Sequence, residues 1–416
     1  MIGSNRICSL SEAREALERT HLAAVALARP FLADPDVVAG PLAGRTVIPC
    51  IGCNEECIDH SMTGRPISCL VNPRVGREAH TPLPSAPTEQ PRRLAVVGAG
   101  PAGLVGAVDA ARRGHRVTLF EAGSEVGGQL RLAGLVSGKS DYLAAARAMA
   151  KRFVELGGEL VLNRRVEVEE LAGFDAAVLA TGVRPRRIEI DTDGSCTVLG
   201  YAEALEMAAG SGPGAGGGAG VSGPDVAAGI GAQPLRPGDT ERPFGEVLVI
   251  GGGGVAVDVG ATLAPASSGM TLIRRGSRRF AAGTSPSTRW IGLGELRRAG
   301  ARMWNNARLV RVRDGVATVE VQVPPAHSSA RSAVGAAGSA TPVAPAGHGP
   351  QIRADGEVEL REVPVDTLIV AVGSDPCVLP GKLSIPHRIV GGAKDAGGLN
   401  AARSTREALE AVRELV

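Results

Sequence analysis

Aromatic side chains are scarce: of 416 residues, 2 are Trp, 2 Tyr and 6 Phe. That leaves too few stacking platforms for a surface that reads nucleic-acid bases. An excess of charge of one sign is missing as well. Lys and Arg number 45 against 43 Asp and Glu, a net charge of +2, so the composition points to neither a nucleic-acid nor a membrane partner. No apolar run approaches the roughly 18 residues of a membrane-spanning helix. The opening MIGSNRICSLSEAREALERT has no basic stretch followed by an apolar one, so no secretory signal is read there. The expectation is a cytoplasmic globular protein. Cysteine is also rare, 7 in all. In a reducing compartment, clustered cysteines more often bind metal than form disulfides. With 44% hydrophobic residues, a sizeable core can form, and the length has room for several domains of roughly 100–200 residues.

The cysteines are not spread evenly. Cys50, Cys53, Cys57 and Cys69 fall within twenty residues, spaced C-x2-C-x3-C-x11-C. Four soft thiolates select zinc or an iron–sulfur cluster. Structural zinc usually takes two separated C-x2-C pairs. Three cysteines packed together with a fourth from afar suit a [4Fe–4S] cluster better, with zinc and no metal left open. Cys8, Cys196 and Cys377 are scattered and are expected to be small buried hydrophobes.

Glycine is plentiful, 57 residues, and much of it falls in two similar units. In VVGAGPAG, Gly98, Gly100 and Gly103 follow an apolar strand at 94–97 and open an Ala-rich helix. The first glycine makes the turn, the second admits a pyrophosphate, and the third packs helix on strand. The helix start then offers bare N–H groups to the phosphates. The next strand, RVTLF, ends at Glu121, placed to accept from a ribose hydroxyl. In VIGGGGVAVD the pattern recurs as Gly251, Gly253 and Ala256, 153 residues later. Its second strand ends not in an acid but in Arg274 and Arg275, with Arg278 and Arg279 beyond. Guanidinium suits a 2′-phosphate, so this unit reads as a nicotinamide site preferring NADPH over NADH. The alternative for Arg278 and Arg279 is a solvated helix face. FDAAVLATGVRPR (174–186) and VDTLIVAVGSDP (365–376) read as strands returning to the first nucleotide sheet. Paired units of this kind usually hold a flavin in the first and a nicotinamide in the second.

With these motifs together, the chain resembles the C-terminal part of the 2,4-dienoyl-CoA reductase and trimethylamine dehydrogenase family of Old Yellow Enzyme-like flavoproteins. The cysteine spacing matches the NADPH-dependent reductase branch. SNRI, ARPFLADP, CIGCNEEC, CLVNPRVGRE, GAGPAGL, EVGGQL, TGVRP, IGGGGVAVD and IVGGAKD carry the resemblance. It implies an α/β fold with two Rossmann-like domains, for FAD and NAD(P)H, preceded by an iron–sulfur segment and the end of a (β/α)8 barrel. Residues 1–45 would be the barrel remnant, 46–90 the [4Fe–4S] segment, 91–185 with 366–416 the FAD domain, and 186–365 the NAD(P)H domain, with disordered inserts near 208–240 and 324–350. The ligands would be Cys50, Cys53, Cys57 and Cys69. FAD contacts would include Gly98, Gly100, Ala102, Gly103, Glu121, Gln129, Thr181, Gly182 and Asp395. Gly251, Gly253, Ala256, Arg274 and Arg275 would serve NADPH, and Arg6 and Arg29 an FMN phosphate.

The family's barrel precedes this region, so the chain is expected to be a truncated product, a gene read from an internal start, or a subunit whose FMN barrel is a separate chain. FMN would bind only where a barrel is supplied. The implied activity is enoyl C=C reduction by NAD(P)H. The alternatives are a non-catalytic nucleotide-binding remnant and the amine dehydrogenase or demethylase branch.

Overall fold

The computed structural model describes residues 1–83, 86–210, 242–323, 357–398 and 400–416. The insert expected at 324–350, and that near 208–240 from residue 211 onward, lie outside the described residues.

Two short parallel strands, β1 (Ile2–Gly3) and β2 (Ala24–Val25), flank α1 (Leu10–Arg19). A capping box starts α1. Ser9 Oγ accepts from the Glu12 N–H at 3.2 Å, and the Glu12 carboxylate accepts from the Ser9 N–H at 3.1 Å, which satisfies donors the helix cannot pair internally. Then come α2 (Arg29–Ala33), α3 (Ala39–Leu42) and α4 (Ile58–Met62), in a segment made mostly of turns.

The first nucleotide unit runs through β3 (Arg93–Val97), α5 (Pro101–Arg112), β4 (Arg116–Phe120), α6 (Gln129–Gly134), α7 (Asp141–Glu155), β5 (Glu159–Val161) and β6 (Ala176–Leu179). The connector strand β7 (Val183–Pro185) leads to the second unit: β8 (Thr197–Gly200), α8 (Tyr201–Ala208), β9 (Glu246–Ile250), α9 (Gly254–Leu263), β10 (Gly269–Ile273), α10 (Pro286–Arg298) and β11 (Arg302–Trp304). An antiparallel meander follows, β12 (Ala307–Arg313), β13 (Val316–Val323) and β14 (Glu357–Pro364), then β15 (Thr367–Val370). The chain goes back through β16 (Ser374–Pro376), β17 (His387–Ile389) and α11 (Ala401–Leu415).

Each unit is a five-stranded sheet, ordered β17-β6-β3-β4-β5 and β11-β10-β9-β15-β8. All pairings within the two sheets are parallel. Such strands are buried on both faces, and β6 and β15 are buried at every residue. The small side chains of α5 let α11 approach closely: Gly106 faces Ala408 and Val412.

One expectation is corrected. The strand within 365–376 does not return to the first sheet. It lies in the second, between β9 and β8, with Thr367 opposite both Val247 and Thr197. A four-residue apolar run carries no mark of which sheet it will enter, and the preceding meander delivers it to the second. The return is made by β16, which pairs antiparallel with β7, and completed by β17. Residues 278–279 lie in a loop and not on a helix, and both are exposed, so the solvated alternative for that arginine pair stands without the helix.

Ion pairs tie the cysteine segment to the first unit. Asp34 accepts from Arg152 of α7 at 2.9 Å, with side-chain exposures of 3% and 7%, and from the Ile48 N–H at 3.0 Å. Arg74 pairs with the buried Asp109 of α5, and Arg406 of α11 pairs with Glu56 at 3.2 Å. Removing one partner of a buried pair strands the other charge. Asp34→Ala is therefore expected to lower unfolding stability by about 3–5 kcal/mol, read by denaturant titration. A loss under about 1 kcal/mol would place Arg152 in water rather than in the interior.

Candidate nucleotide and thiolate sites

The two glycine turns are built alike. Gly98 has φ +100° and Gly251 φ +152°, where L side chains are strained. A Cβ on Gly98 would collide with the Ala180 carbonyl, and one on Gly251 with the Ala371 carbonyl. A Cβ on Gly103 would meet the Gly98 carbonyl more closely still. By contrast, a Cβ on Gly100 or Gly253 would meet nothing within 4 Å. These residues cap the starts of α5 and α9, so both helix N-termini open onto free space suited to a pyrophosphate.

Around the first turn the structure gathers most of the expected residues. Glu121 accepts the Ala99 and Gly123 N–H groups at 2.8 Å each, bracing the turn beside its expected ribose. Gly128 packs over Gly100 and places Gln129 at the start of α6, where its Oε1 accepts from the Tyr201 hydroxyl at 3.4 Å. Thr181 donates to the Cys377 carbonyl, and Gly182 has φ +74°. Gly391 lies against Ala102. Asp395, four residues on, is exposed and accepts from the Gly397 N–H at 2.7 Å.

At the second turn Ala256 is fully buried, and Arg274 behaves unlike its counterpart Glu121. Its Nη1 donates to the Arg278 and Arg279 carbonyls at 2.8 and 2.6 Å. Arg275, Arg278 and Arg279 are exposed.

The four clustered cysteines line one small pocket together with Arg29 and Asn54. Gly52 and Asn54 adopt φ of +62° and +64°, folding the CIGCNEEC loop tightly. Arg29 Nη1 donates to Asn54 Oδ1 at 2.5 Å, and an Arg6 nitrogen lies near Gly52. Backbone N–H groups point at the sulfurs: Gly52 toward Cys50, Glu55 toward Cys53, and Val71 and Asn72 toward Cys69. Burial pushes the Cys53 and Cys69 thiols up. A hydrogen bond from Cys8, with the Gly52 N–H and Arg29, holds Cys50 below the usual thiol range. Cys8 is buried as expected, but its contact with Cys50 carried no sequence signal. Ser68 Oγ, beside Cys69, is buried without a partner among the described residues. Among those residues, no three His, Cys, Asp or Glu side chains converge closely enough to hold a single metal ion.

The family profile described as pyridine nucleotide-disulphide oxidoreductase matches residues 92–328. The chain belongs to this family. It is accordingly an NAD(P)H-dependent flavin oxidoreductase, with FAD and NAD(P)H sites of the Rossmann type. It is 37% identical over 193 residues to a metal reductase of Desulforamulus reducens, covering 44% of this chain and 29% of that protein. It is 36% identical over 171 residues to a cinnamate reductase of Clostridium sporogenes, covering 40% of this chain and 25% of that one. The matched stretches thus span under a third of these curated relatives. Solved structures share the fold. A 2-naphthoyl-CoA reductase superposes with a TM-score of 0.74 at 20% identity, over 99% of this chain and 53% of that one. A histamine dehydrogenase from Rhizobium sp. 4-9 gives 0.69 at 19%, over 100% and 58%. The expected family resemblance is borne out.

Because a Cβ at Gly100 meets only open space, Gly100→Ala is expected to fold with a melting temperature close to wild type but to lose most of its FAD. The ratio of flavin absorbance to protein checks this. Full flavin occupancy would show that no ligand approaches the turn there.

Proposed function

We propose that this oxidoreductase takes its reducing equivalents from NADPH and delivers them by way of FAD and a [4Fe–4S] cluster to an FMN-bearing barrel that reduces an enoyl C=C bond, as in 2,4-dienoyl-CoA reductase-like enzymes. The observation that carries the reading is the pocket ringed by Cys50, Cys53, Cys57 and Cys69, with backbone N–H groups aimed at three of the sulfurs. Hydrogen bonds to the sulfurs are a known lever on cluster potential.

When bound, FAD supplies hydride acceptance and one-electron release, the cluster one-electron transfer, and FMN delivery to the substrate. The chain's own residues would hold these groups. Gly98, Gly100 and Gly103 would leave room for the flavin pyrophosphate, and Ala102, Glu121, Gln129, Thr181, Gly182 and Asp395 would contribute to holding the FAD. Gly251, Gly253 and Ala256 would do the same for NADPH. In this reading residues 1–45 are the end of the FMN barrel, with Arg6 and Arg29 toward the FMN phosphate. The FAD domain comprises 91–185 and the return from β17, and the NADPH domain the stretch between, through β15. Tyr142 of α7, Cys53 and Cys69 pack against the same buried cluster as Cys50 and the core of the first unit, a contact that supports a relay between the two.

The described residues supply two short strands in the barrel segment, where a barrel needs eight. The purified chain is therefore expected to reduce ferricyanide with NADPH but not a dienoyl-CoA. Cys50→Ser is expected to lose its iron and keep both FAD and ferricyanide reduction. Tightly bound FMN with enoyl reduction by these residues alone would contradict the barrel assignment.

A further inference from the structure

Between β4 and α7 the first unit sends out an excursion, residues 127–139, that contains α6. It starts at the flavin turn, where Gly128 packs over Gly100. Two leucines one residue apart then enter different cores. Leu130, 5% exposed, packs in the core of the first unit. Leu132 and Val136, both 8% exposed, pack in that of the second, in the cluster that holds Tyr201, Leu205 and Val257. The helix is also pressed onto the start of α7, since a Cβ on Gly134 would sit 2.9 Å from Leu143 Cβ.

Polar contacts repeat the pattern. Lys139 Nζ lies 2.6 Å from Asp258 Oδ2 of α9, and Arg131 pairs with Glu206 of α8, every one of these side chains being half-buried. The Ser137 N–H donates to Thr262 Oγ1 of α9 at 3.4 Å. The Tyr201 hydroxyl, at the start of α8, reaches Gln129 of α6 at 3.4 Å and Ser374 of β16 at 3.2 Å. Turning one unit on the other would draw Leu132 and Val136 into water and part both ion pairs, and each of these changes is unfavourable. By contrast, the connectors β7 and β16 link the units by a two-stranded pairing alone.

We propose that α6 and the residues up to Lys139 form a bracket that holds the two units in one arrangement, and that hydride passes from NAD(P)H to FAD in that arrangement, with no rotation of one unit on the other. NAD(P)H is oxidised, FAD takes the hydride and one proton from solvent, and the bracket supplies neither. Arg131 and Lys139 are positioning residues, because each acts by placing the second unit against the first. The proposal rests on the FAD and NAD(P)H sites and is independent of the cluster and the barrel.

Two measurements on the purified flavin-loaded chain test this. In the first, Ser137→Cys/Thr262→Cys is joined anaerobically by a short bis-thiosulfonate reagent, and mass spectrometry of the joined peptides gives the yield. Wild type treated alike controls for the native cysteines. The pair is expected to link equally with and without NADPH, and the linked enzyme to reduce ferricyanide with NADPH within about twofold of its unlinked form. A linked enzyme about tenfold slower, restored when dithiothreitol releases the link, would show that rotation is needed and overturn the proposal. Failure of the pair to link would overturn it too. In the second, flavin bleaching by saturating NADPH is followed by stopped flow, and NADP+ affinity by calorimetry. Arg131→Glu is expected to slow bleaching at least about threefold and leave that affinity within about twofold, and Glu206→Arg added to it to restore most of the rate. Arg131→Gln, a milder change, guards against misfolding and is expected to slow bleaching in the same sense. Full-speed bleaching in either folded variant, or no rescue by Glu206→Arg, would sink the bracket alone. A wild-type flavin that neither NADPH nor NADH bleaches would sink the NAD(P)H-to-FAD reading itself.

Discussion

A backbone carbonyl pressed against a glycine sets the architecture. In the first unit the Ala180 carbonyl, just past β6, sits where a Cβ of Gly98 would be; in the second, the Ala371 carbonyl, just past β15, does the same to Gly251. The contact requires glycine at the turn. Matching ladder bonds support it: Ala180 N–H to Val97 at 2.8 Å and Ala371 N–H to Ile250 at 2.8 Å. With the strand end held there, the helix N-terminus has one place to point, out over the carboxyl edge of the sheet, where a nucleotide pyrophosphate binds. The connectors β7 and β16 leave from these strand ends and pair with each other, so the same contacts also fix where the two units join.

On this shared frame the two units diverge at a few positions. An acid braces the first turn through backbone N–H groups, and an arginine lies across the second. The change from Ala99 to Gly252 accompanies it, because the longer side chain needs the space. Divergence by paired changes of this kind is what duplication of one nucleotide-binding unit produces when its copies serve different ligands. The thiolate pocket is attached to the first unit by charge. Asp34–Arg152, Arg74–Asp109 and Glu56–Arg406 each join the N-terminal segment to a helix of that unit, two of them through nearly buried carboxylates.

Much of this was legible in the sequence because it depends on local spacing. Gly98, Gly100 and Gly103, their counterparts Gly251, Gly253 and Ala256, and the strand ends at Ala180 and Ala371 declare themselves by order along the chain. So does the crowding of Cys50, Cys53, Cys57 and Cys69. What was not legible depends on partners distant in sequence. The residues Thr367–Val370 could extend either sheet, and only the meander before them decides which. Arg274 reads as a phosphate ligand from its place after β10, and nothing in the spacing shows that its Nη1 also reaches carbonyls four and five residues on. Cys8 looked like filler until folding brought it to Cys50. Asp34 and Arg152, 118 residues apart, share no pattern that would have paired them.

The central claim is that NADPH reduces a cluster held by the four cysteines. Low-temperature electron paramagnetic resonance on the anaerobically purified chain, before and after addition of NADPH, tests it most directly. The account predicts about four irons per chain and a signal of a reduced [4Fe–4S] cluster that appears with NADPH and is absent from Cys50→Ser. An iron-free chain with stoichiometric zinc, or an iron-loaded chain whose spectrum NADPH leaves unchanged, would contradict it.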